Sequence, residues 1–350
     1  NRCEKEEEIP FIMNFCILGA GAWGTAVAIY LSKIGHVVTL VPRRVEQALS
    51  MSSARENLDY LKGVPFDSDL QIGSSLKPAL MESDYIFFAC PSHALRVTCR
   101  RVIEQAIPSS SRLRGALALC KGLEPETNLF AHEVMSREFG SNFSTGYLTG
   151  PSHAEDIATG KPAAMVLAMN GPDHDTKELQ AEISSPFLRI YRSDDRTGVA
   201  LGSCIKNIYA IATGISDGLG LGDNARAALL TRSMNEMISL GKVLGASSDT
   251  FFGLSGFGDL VGTCMGQWSR NRNFGLALAR ENKPEKILTS QKTVVEGYFA
   301  TECFYHKCKD LKLEMPILKQ VHDILYSGKN PSSALKDLMT RDLKAEINQK

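Results

Sequence analysis

The sequence lacks an excess of charge of either sign. Its 350 residues include 39 lysine and arginine residues and 39 aspartate and glutamate residues, so the formal net charge at pH 7 is zero. A balanced chain has no global basic field of the kind that attracts nucleic acid or anionic lipid. We therefore expect no nucleic-acid partner, although a local basic pocket stays open.

The sequence also lacks cysteine and histidine pairs at the spacing of a zinc site. Its nine cysteines are scattered through apolar surroundings, which is typical of reduced, buried thiols in a cytosolic protein. The only tight group is Cys303, His306 and Cys308 in "CFYHKC", and no second ligand pair accompanies it. We expect no metal site and a cytoplasmic location.

Only one long uncharged run occurs, "FIMNFCILGAGAWGTAVAIYL" from Phe11 to Leu31. It is long enough to cross a bilayer. The preceding residues, "EKEEEIP", are acidic, whereas a signal peptide begins with basic residues. No similar run follows, so we do not expect an integral membrane protein. Met13 is a candidate native start, which would make residues 1–12 a dispensable extension.

The uncharged run contains Gly19, Gly21 and Gly24 at the spacing G-x-G-x-x-G. The motif follows a predicted strand, "NFCIL", and opens a predicted helix, "WGTAVAIYLSKIG", and in that context it indicates dinucleotide binding. Gly19 would permit the tight turn, Gly21 the approach of a pyrophosphate, and Gly24 close packing of helix on strand. The phosphates would bind the N–H groups at the helix start.

The first half of the chain alternates short apolar strands with helices. The first βαβ unit ends in "HVVTLV". The further strand candidates are Asp84–Cys90, Arg114–Cys120, Gly146–Pro151 and Pro162–Met169, with a helix around Ala94–Ala106. This alternation predicts an α/β domain with a Rossmann-type, doubly wound parallel sheet.

After about residue 195 the strand-like runs end, and apolar residues recur at helical spacing, as in "NARAALLTRSMNEMISLGKVLG". We expect an all-helical C-terminal domain. A chain of this length favours two domains. We predict an NAD(P)-binding domain at 13–195 and a helical substrate-binding domain at 196–345.

The end of the second predicted strand carries arginines where an NAD-binding fold carries an acid. In "TLVPRRVE", Arg43 and Arg44 come directly after the strand. An acid at this point binds the ribose 2′-hydroxyl of NAD, whereas an arginine accommodates the 2′-phosphate of NADP. The sequence favours NADP(H), or the use of both NADP(H) and NAD(H).

Polar residues in the helical half indicate a second candidate site. Lys206 and Asn207 interrupt an otherwise apolar helix, and Asp259 and the segment 269–271 lie near predicted helix starts. Arg270 offers a planar fork for a phosphate, and a helix N-terminus offers N–H donors. These residues predict a site for a small phosphorylated molecule.

Several blocks follow one another along residues 13–331, namely "GAGAWGTA", "ENLDYL", "CKGLE", "GPSHAEDIA", "KNIYAIATGISDGLGLGDNARAALLTR", "GLSGFGDL", "SRNRNFG" and "VVEGYFAT". In content and order they resemble the NAD(P)-dependent glycerol-3-phosphate dehydrogenases of the bacterial type. The resemblance implies reversible hydride transfer between NAD(P)H and dihydroxyacetone phosphate, giving sn-glycerol 3-phosphate for glycerophospholipid synthesis. It also implies a homodimer.

The resemblance implies roles for particular residues. Lys206 would be the general acid in reduction and the base in oxidation, with Lys121 and Asp259 completing the catalytic group. The substrate-binding set would be Lys121, Gly150, Ser152, Lys206, Asp259, Ser269, Arg270 and Asn271. The cofactor-binding set would be Gly19, Gly21, Ala22, Trp23, Gly24, Arg43, Arg44, Lys121, Ala154, Arg270, Val294 and Glu296.

The implied reaction requires Lys206 to exchange a proton near neutral pH, although a free lysine has a pKa of ~10.4. Burial and a neighbouring cation, Lys121 or Arg270, would lower that pKa, and Asp259 would raise it. The sequence leaves open which effect is larger.

Two other functions fit parts of the sequence. β-Hydroxyacid and sugar-acid dehydrogenases also join a dinucleotide domain to a helical one, but they need a carboxylate site, and the "SRN" block favours a phosphate ester. A non-catalytic NADP(H)-sensing protein could keep the same fold. The presence of Lys121, Lys206 and Asp259 together argues against that function.

Overall fold

The computed structural model describes residues 11–106, 112–290, 294–343 and 345–346, so most of the predicted extension at residues 1–12 lies outside it. The chain divides into two compact units. The first takes in the described residues of 1–120 and 129–199, and the second those of 121–128 and 200–350. The predicted boundary between residues 195 and 196 stays a prediction.

The first unit is built on a sheet. Its strands are β1 (Asn14–Leu18), β2 (Val37–Val41), β3 (Glu56–Asn57), β4 (Leu61–Pro65), β5 (Gln71–Ile72), β6 (Tyr85–Phe88), β7 (Gly115–Ala118), β8 (Ser144–Thr149), β9 (Ala163–Met169) and β10 (Leu188–Ser193). Among the described residues, β3 and β4 form a separate antiparallel pair, and the others form one sheet in the order β10-β9-β8-β7-β6-β1-β2-β5.

Helices connect these strands. They are α1 (Ala22–Lys33), α2 (Val45–Ala54), α3 (Leu76–Met81), α4 (Leu95–Ala106), α5 (Ala131–Phe139), α6 (Ala154–Ala158) and α7 (Asp173–Glu182). The predicted strands correspond to β1, β2, β6, β7, β8 and β9. The α/β prediction for the first half of the chain is therefore confirmed.

The sheet differs from the prediction in one pairing, because β9 runs antiparallel to β8 while the remaining pairs are parallel. The connection from β8 to β9 carries only the five-residue helix α6. Residues 150–162 form this connection, and a parallel return would need most of such a length for a crossover to the starting edge of the sheet. The connection instead turns the chain back alongside β8, so that β9 pairs with it in the antiparallel direction.

Sequence reasoning missed β10 at the edge of the sheet. Its side chains alternate between buried Leu188 and Ile190 and exposed Arg189 and Tyr191. The sequence of an edge strand with one solvated face lacks the continuous apolar run that is typical of a central parallel strand. The strands β3 and β5 contain two residues each and leave no periodic signal.

The uncharged run at 11–31 folds into β1 and α1. Strand β1 lies between β2 and β6, and residues 15–18 are buried. Helix α1 is buried from Gly24 to Ser32. The run is uncharged because both faces of a central strand and most of a helix lie inside the first unit.

All regular secondary structure in the described residues of the second unit is helical. It contains the C-terminal part of α8 (Arg196–Gly218), followed by α9 (Gly222–Val243), α10 (Asp259–Met265), α11 (Arg270–Arg280), α12 (Pro284–Ser290), α13 (Glu296–Asp310), α14 (Pro316–Tyr326) and α15 (Pro331–Met339). A 3-10 turn at Ser248–Phe252 and a π-helical turn at Leu254–Gly258 precede α10. The prediction of an all-helical C-terminal domain is confirmed.

Helix α8 is the central element of the second unit. It is the one helix among the described residues whose length and apolar composition would suffice to cross a membrane, and 94% of its apolar window is buried inside the protein. Such burial is typical of a core helix. The lysine that interrupts this apolar surface, Lys206, is therefore held inside the protein at 3% exposure.

Candidate active site

The glycine turn after β1 has the geometry that its spacing predicts. Gly19 has a φ of +116°, and a Cβ there would lie 2.7 Å from the carbonyl oxygen of Ala89. A Cβ on Gly24 would lie 2.1 Å from the carbonyl oxygen of Gly19, so only glycine lets α1 start this close to the strand. A Cβ on Gly21 would meet nothing within 4 Å. Backbone atoms therefore fill the space beside Gly19 and Gly24, whereas the space beside Gly21 is free for a ligand.

Asn57 holds this turn in place, and sequence reasoning gave it no role. Its side-chain amide donates to the carbonyl oxygen of Ala20 at 3.0 Å and to Oγ1 of Thr25 at 2.8 Å. Gln47 donates to the same carbonyl at 3.1 Å. Asn57 is 1% exposed and belongs to the block "ENLDYL", whose presence in the family order was its only signal.

The residues of the turn fit the pyrophosphate of a dinucleotide. Gly21 is the N-cap of α1, and Ala22, Trp23 and Gly24 form the first turn, where backbone N–H groups precede the helical hydrogen bonds. Trp23 Nε1 is buried and has no hydrogen-bond partner among the described residues. Open space at Gly21 beside a row of N–H donors is what an anionic ligand requires.

The two arginines follow β2 at the same edge of the sheet. Leu18 of β1 pairs with Val41 of β2, and Gly19 donates its N–H to the carbonyl oxygen of Val41 at 3.0 Å. Arg44 is the N-cap of α2, and both Arg43 and Arg44 are exposed. The backbone of the two arginines therefore follows β2 beside the glycine turn, at the strand end where an adenosine ribose binds in folds of this type.

Residues 150–154 follow β8. Gly150 has a φ of +142°, and Ser152 donates its hydroxyl to the Gly150 carbonyl oxygen at 3.0 Å. Ala154 begins α6 and, like Trp23, packs against the hydrophobic core of the first unit. The roles of these residues in binding stay predictions.

In the second unit, Asp259 is the centre of a buried ionic cluster. Its Oδ1 accepts a hydrogen bond from Lys206 Nζ at 2.5 Å, and its Oδ2 accepts one from Lys121 Nζ at 3.0 Å. The Lys206 ammonium also donates to Oγ1 of Thr263 at 2.6 Å. Asp259 is 1% exposed, whereas the Lys121 side chain keeps 18% of its surface. Two cations thus share one anion, and one of the cations is accessible.

The position of Asp259 depends on close packing against α8. A Cβ on Gly202, one turn before Lys206, would lie 2.5 Å from the carbonyl oxygen of Ser255. The glycine lets the π-helical turn at Leu254–Gly258 lie directly on α8, and Asp259 follows that turn as the first residue of α10. Thr263 stands one turn further along α10, on the same face as Asp259.

Burial determines the charge state of Lys206. The pKa of its ammonium is lowered from the ordinary lysine value to about 8, mainly because burial removes the charge from water, and the nearby charge of Lys121 acts in the same direction. The attraction of Asp259 acts in the opposite direction and does not restore the ordinary value. Lys206 can therefore both give and take a proton near neutral pH, which answers the question that the sequence left open.

The segment 269–271 opens α11. Ser269 is its N-cap, 1% exposed, and its Oγ accepts from the backbone N–H of Arg272 at 3.3 Å. Asn271 is buried, donates to Asn207 Oδ1 at 3.0 Å and accepts from the N–H of Gly297 at 2.9 Å. These contacts join the start of α11 to the helix of Lys206 and to the start of α13.

Three predicted cofactor residues lie near the same helix start. Arg270 is exposed and donates Nη1 to the carbonyl oxygen of Val294 at 2.9 Å. Glu296 is the first residue of α13. The second unit thus brings Arg270, Val294 and Glu296 together, while the first unit holds residues 19–24, 43–44 and 154.

Two further polar residues lie at this cluster: Thr263, which carried no prediction, and Asn207, which the sequence marked only as a polar residue in an apolar helix. Thr263 follows Asp259 at the i+4 spacing, just after the block "GLSGFGDL", and this spacing is the signal that could have identified it. Asn207 donates its side-chain amide to the carbonyl oxygen of Lys121 at 3.2 Å, so it fixes the backbone of the second lysine.

Known proteins that resemble the chain match it over almost its full length. It is 42% identical to "Glycerol-3-phosphate dehydrogenase [NAD(P)+]" of Hydrogenovibrio crunogenus over 337 residues, which are 96% of this chain and 97% of the relative. The family models of the NAD-dependent glycerol-3-phosphate dehydrogenase N-terminus and C-terminus match residues 14–175 and 195–336. The chain belongs to the NAD-dependent glycerol-3-phosphate dehydrogenase family.

Solved structures of glycerol-3-phosphate dehydrogenases share the fold. The crystal structure of the Coxiella burnetii protein is 36% identical, covers 95% of this chain and 100% of its own, and superposes with a TM-score of 0.89. The Plasmodium falciparum protein is 23% identical, covers 95% of this chain and 97% of its own, and gives a TM-score of 0.85. The second likeness shows the fold alone.

Proposed function

We propose that this member of the glycerol-3-phosphate dehydrogenase family transfers a hydride reversibly between NAD(P)H and dihydroxyacetone phosphate, with sn-glycerol 3-phosphate as the reduced product. The observation that carries the proposal is the cluster of Lys206, Asp259 and Lys121, in which a buried lysine with a pKa of about 8 stands beside a second cation. Its near relatives are named NAD(P)+-dependent glycerol-3-phosphate dehydrogenases, and the glycine turn fits that cofactor.

Lys206 supplies the proton of the reaction. In reduction, C2 of the substrate gains a hydride and its oxygen gains the Lys206 proton, which leaves a neutral amine that is reprotonated from solvent. In oxidation, the neutral amine removes the hydroxyl proton. Bound NAD(P)H supplies the hydride, and NAD(P)+ accepts it in the reverse direction.

Lys121 and Asp259 support that proton transfer. The positive charge of Lys121 stabilises the negative charge that develops on the substrate oxygen, and it does so from a fixed position. Asp259 orients both ammonium groups, because each of its oxygens accepts from one lysine. A buried carboxylate that is satisfied in this way also avoids the cost of an unpaired charge.

The start of α11 binds the substrate phosphate. The first-turn N–H groups after Ser269 and the guanidinium of Arg270 form a suitable anion site. The phosphate lies away from the reacting carbon. Its binding energy therefore holds the carbonyl in position for the reaction and contributes to the transition state.

Arg43 and Arg44 favour NADP(H) over NAD(H). They are exposed at the carboxyl end of β2, where a 2′-phosphate would place its negative charge. Among the residues that directly follow this strand, 42–45, there is no acid to bind a 2′-hydroxyl.

The proposal also covers the cellular location of the reaction, the oligomeric state of the protein and the use of the product. The near relatives act in bacteria, and the resemblance implies a cytoplasmic homodimer whose product enters glycerophospholipid synthesis. The formal net charge of zero and the balanced composition support a small-molecule substrate, with no nucleic-acid partner.

A spectrophotometric assay of the purified chain tests the proposal. We expect NADPH absorbance to fall when dihydroxyacetone phosphate is added, and to stay constant with the Lys206→Ala variant. The same protein is then offered β-hydroxy acids with NADP+. Turnover of a β-hydroxy acid without turnover of dihydroxyacetone phosphate would favour the alternative dehydrogenase, and no turnover of either would favour a sensing protein.

A further inference from the structure

Helices α8 and α11 touch backbone to backbone. A Cβ on Gly214 of α8 would lie 1.9 Å from the carbonyl oxygen of Arg272, and a Cβ on Gly275 of α11 would lie 2.1 Å from the carbonyl oxygen of Ile211. At such distances neither glycine accepts a side chain without movement of a helix. The contact therefore fixes how far the two helices stand apart.

This contact lies between the two halves of the proposed substrate site. Lys206 is on α8, about two turns before Gly214, and Ser269 caps α11, less than two turns before Gly275. A shift of one helix along the other would move the phosphate site relative to the proton donor.

An ion pair links the two helices beside this contact. Both oxygens of Asp217, at the C-terminal end of α8, are occupied. Oδ2 accepts from Arg272 Nε at 2.9 Å and lies 2.7 Å from Arg272 Nη2. Oδ1 accepts from Arg226 Nε at 2.9 Å and Nη2 at 2.7 Å, and Arg226 belongs to α9. The Asp217 side chain is 8% exposed and that of Arg272 is 17% exposed.

Arg272 is held at three points. Its N–H donates to the N-cap Ser269, its carbonyl lies against Gly214, and its guanidinium forks onto Asp217. The turn that holds Arg272 also contains Arg270 and Asn271. The residue that anchors the helix is therefore part of the turn that would bind the phosphate.

We propose that Asp217 and Arg272 are positioning residues that set the distance between the phosphate site at the start of α11 and the proton donor Lys206. The inference rests on the proposed function, and it concerns side chains to which that function assigns no contact with the substrate. In dihydroxyacetone phosphate only one carbon and one oxygen separate C2 from phosphorus, which limits the distance that the molecule can bridge. Phosphate binding can therefore lower the barrier at the carbonyl only while the two helices keep their spacing.

The experiment compares a substrate that bridges both sites with one that reaches only Lys206. The bridging substrate is dihydroxyacetone phosphate, and the short one is dihydroxyacetone, assayed at high enzyme concentration with NADPH. The test variant is Arg272→Lys, which keeps the charge and loses the planar fork. The matched control is Arg226→Lys. It weakens the other ion pair of Asp217, the one formed with α9, and does not change any residue of α11.

We expect Arg272→Lys to lower kcat/KM for dihydroxyacetone phosphate by about tenfold, since small displacements in a bound substrate are costly, and to change kcat/KM for dihydroxyacetone by less than about twofold. Arg226→Lys should change neither value by more than about twofold. If the melting curve shows that Arg272→Lys is unfolded, Asp217→Asn takes its place. The same difference in kcat/KM between the two substrates is then expected for Asp217→Asn.

Three results would overturn the inference. They are an equal loss on both substrates with Arg272→Lys, no loss on either, and a loss with Arg226→Lys that matches that of Arg272→Lys. Failure of the proposed function has a different signature, because the unmodified protein would then show no preference for dihydroxyacetone phosphate over dihydroxyacetone.

Discussion

The Lys206 ammonium lies 2.5 Å from Oδ1 of Asp259, and both residues are almost fully buried. A carboxylate this close raises the pKa of a lysine, yet the pKa of Lys206 stays lowered at about 8 because desolvation is the larger effect. Asp259 therefore directs the ammonium without keeping it permanently charged.

Replacement of Lys206 by alanine should abolish most of the catalysis and leave cofactor binding intact. Loss of a general acid typically lowers kcat by about a hundredfold to ten-thousandfold. The measurements are kcat for dihydroxyacetone phosphate reduction and NADPH affinity by fluorescence titration. Lys242→Ala, at an exposed position on α9, is the control. A Lys206→Ala enzyme within a few-fold of the unmodified one would remove Lys206 from the mechanism.

The pH profile should report the lowered pKa of Lys206. Reduction uses the protonated amine, so kcat/KM for reduction should be constant at low pH and fall as pH rises through about 8. Oxidation uses the neutral amine and should rise over the same range. Because the charge of Lys121 lowers the pKa of Lys206, Lys121→Met should move the inflection to higher pH. An inflection that stays in place or moves down would show that the two lysines are not coupled.

Replacement of Arg270 by alanine should mainly weaken the binding of the phosphorylated substrate. Its guanidinium is a phosphate fork at the start of α11, and a charge-assisted bidentate contact is worth several-fold to about a hundredfold in KM. Steady-state kinetics with varied dihydroxyacetone phosphate measures the change. Arg280→Ala, exposed at the other end of the same helix, controls for general effects on α11. Equal rises in KM for the two variants would argue against a specific phosphate contact.

The double variant Arg43→Ala with Arg44→Ala should weaken NADPH more than NADH. The two arginines would face the 2′-phosphate, which only NADPH carries. Competing titrations of the two cofactors give the ratio of their dissociation constants, with Arg101→Ala on α4 as the exposed control. An equal loss for both cofactors would refute the assignment of the 2′-phosphate to this pair.

Glu236 should make the stability of the protein depend on pH. Its Oε1 accepts from the Ile317 N–H at 2.6 Å, and its Oε2 from the Leu318 N–H at 3.2 Å and the Tyr209 hydroxyl at 3.3 Å. Burial nevertheless raises the pKa of Glu236 from 4.5 to about 7. The folded state then keeps its proton to higher pH than the unfolded state. The stabilisation is complete below pH 4.5 and is lost as pH rises through about 7.

Urea unfolding at several pH values tests this contribution. Between about pH 5 and pH 7 the free energy of unfolding should fall with rising pH, by at most about 1.4 kcal/mol per pH unit for this one group. Glu236→Gln, which does not titrate, should reduce that slope. Glu285→Gln, at an exposed position on α12, should leave it unchanged. The same slope in all three proteins would exclude Glu236 as its source.

Much of the first unit could be read from the sequence, because its signals are local. The spacing of Gly19, Gly21 and Gly24 reflects contacts within one strand–turn–helix, and a central parallel strand leaves a continuous apolar run. Two features of the sheet that depend on distant parts of the chain were not predicted correctly from the sequence. The antiparallel pairing of β9 depends on the path of the connection from β8 through space, and β10 is half-exposed at an edge of the sheet.

For the candidate site too, some features follow from the sequence alone and others only from the tertiary structure. The sequence by itself determined the family, the helical character of the second half and the residue types at each block, since these follow from order and periodicity along the chain. The family resemblance implied that Lys206, Lys121 and Asp259 form one group. The tertiary structure decided the contacts within it, in which each oxygen of Asp259 accepts from one lysine. It alone also decided that the Lys206 pKa falls and that Arg272 locks α11 to Asp217. The physical reason is that desolvation and ion pairing depend on distance and burial in the folded chain, and no local pattern records either quantity.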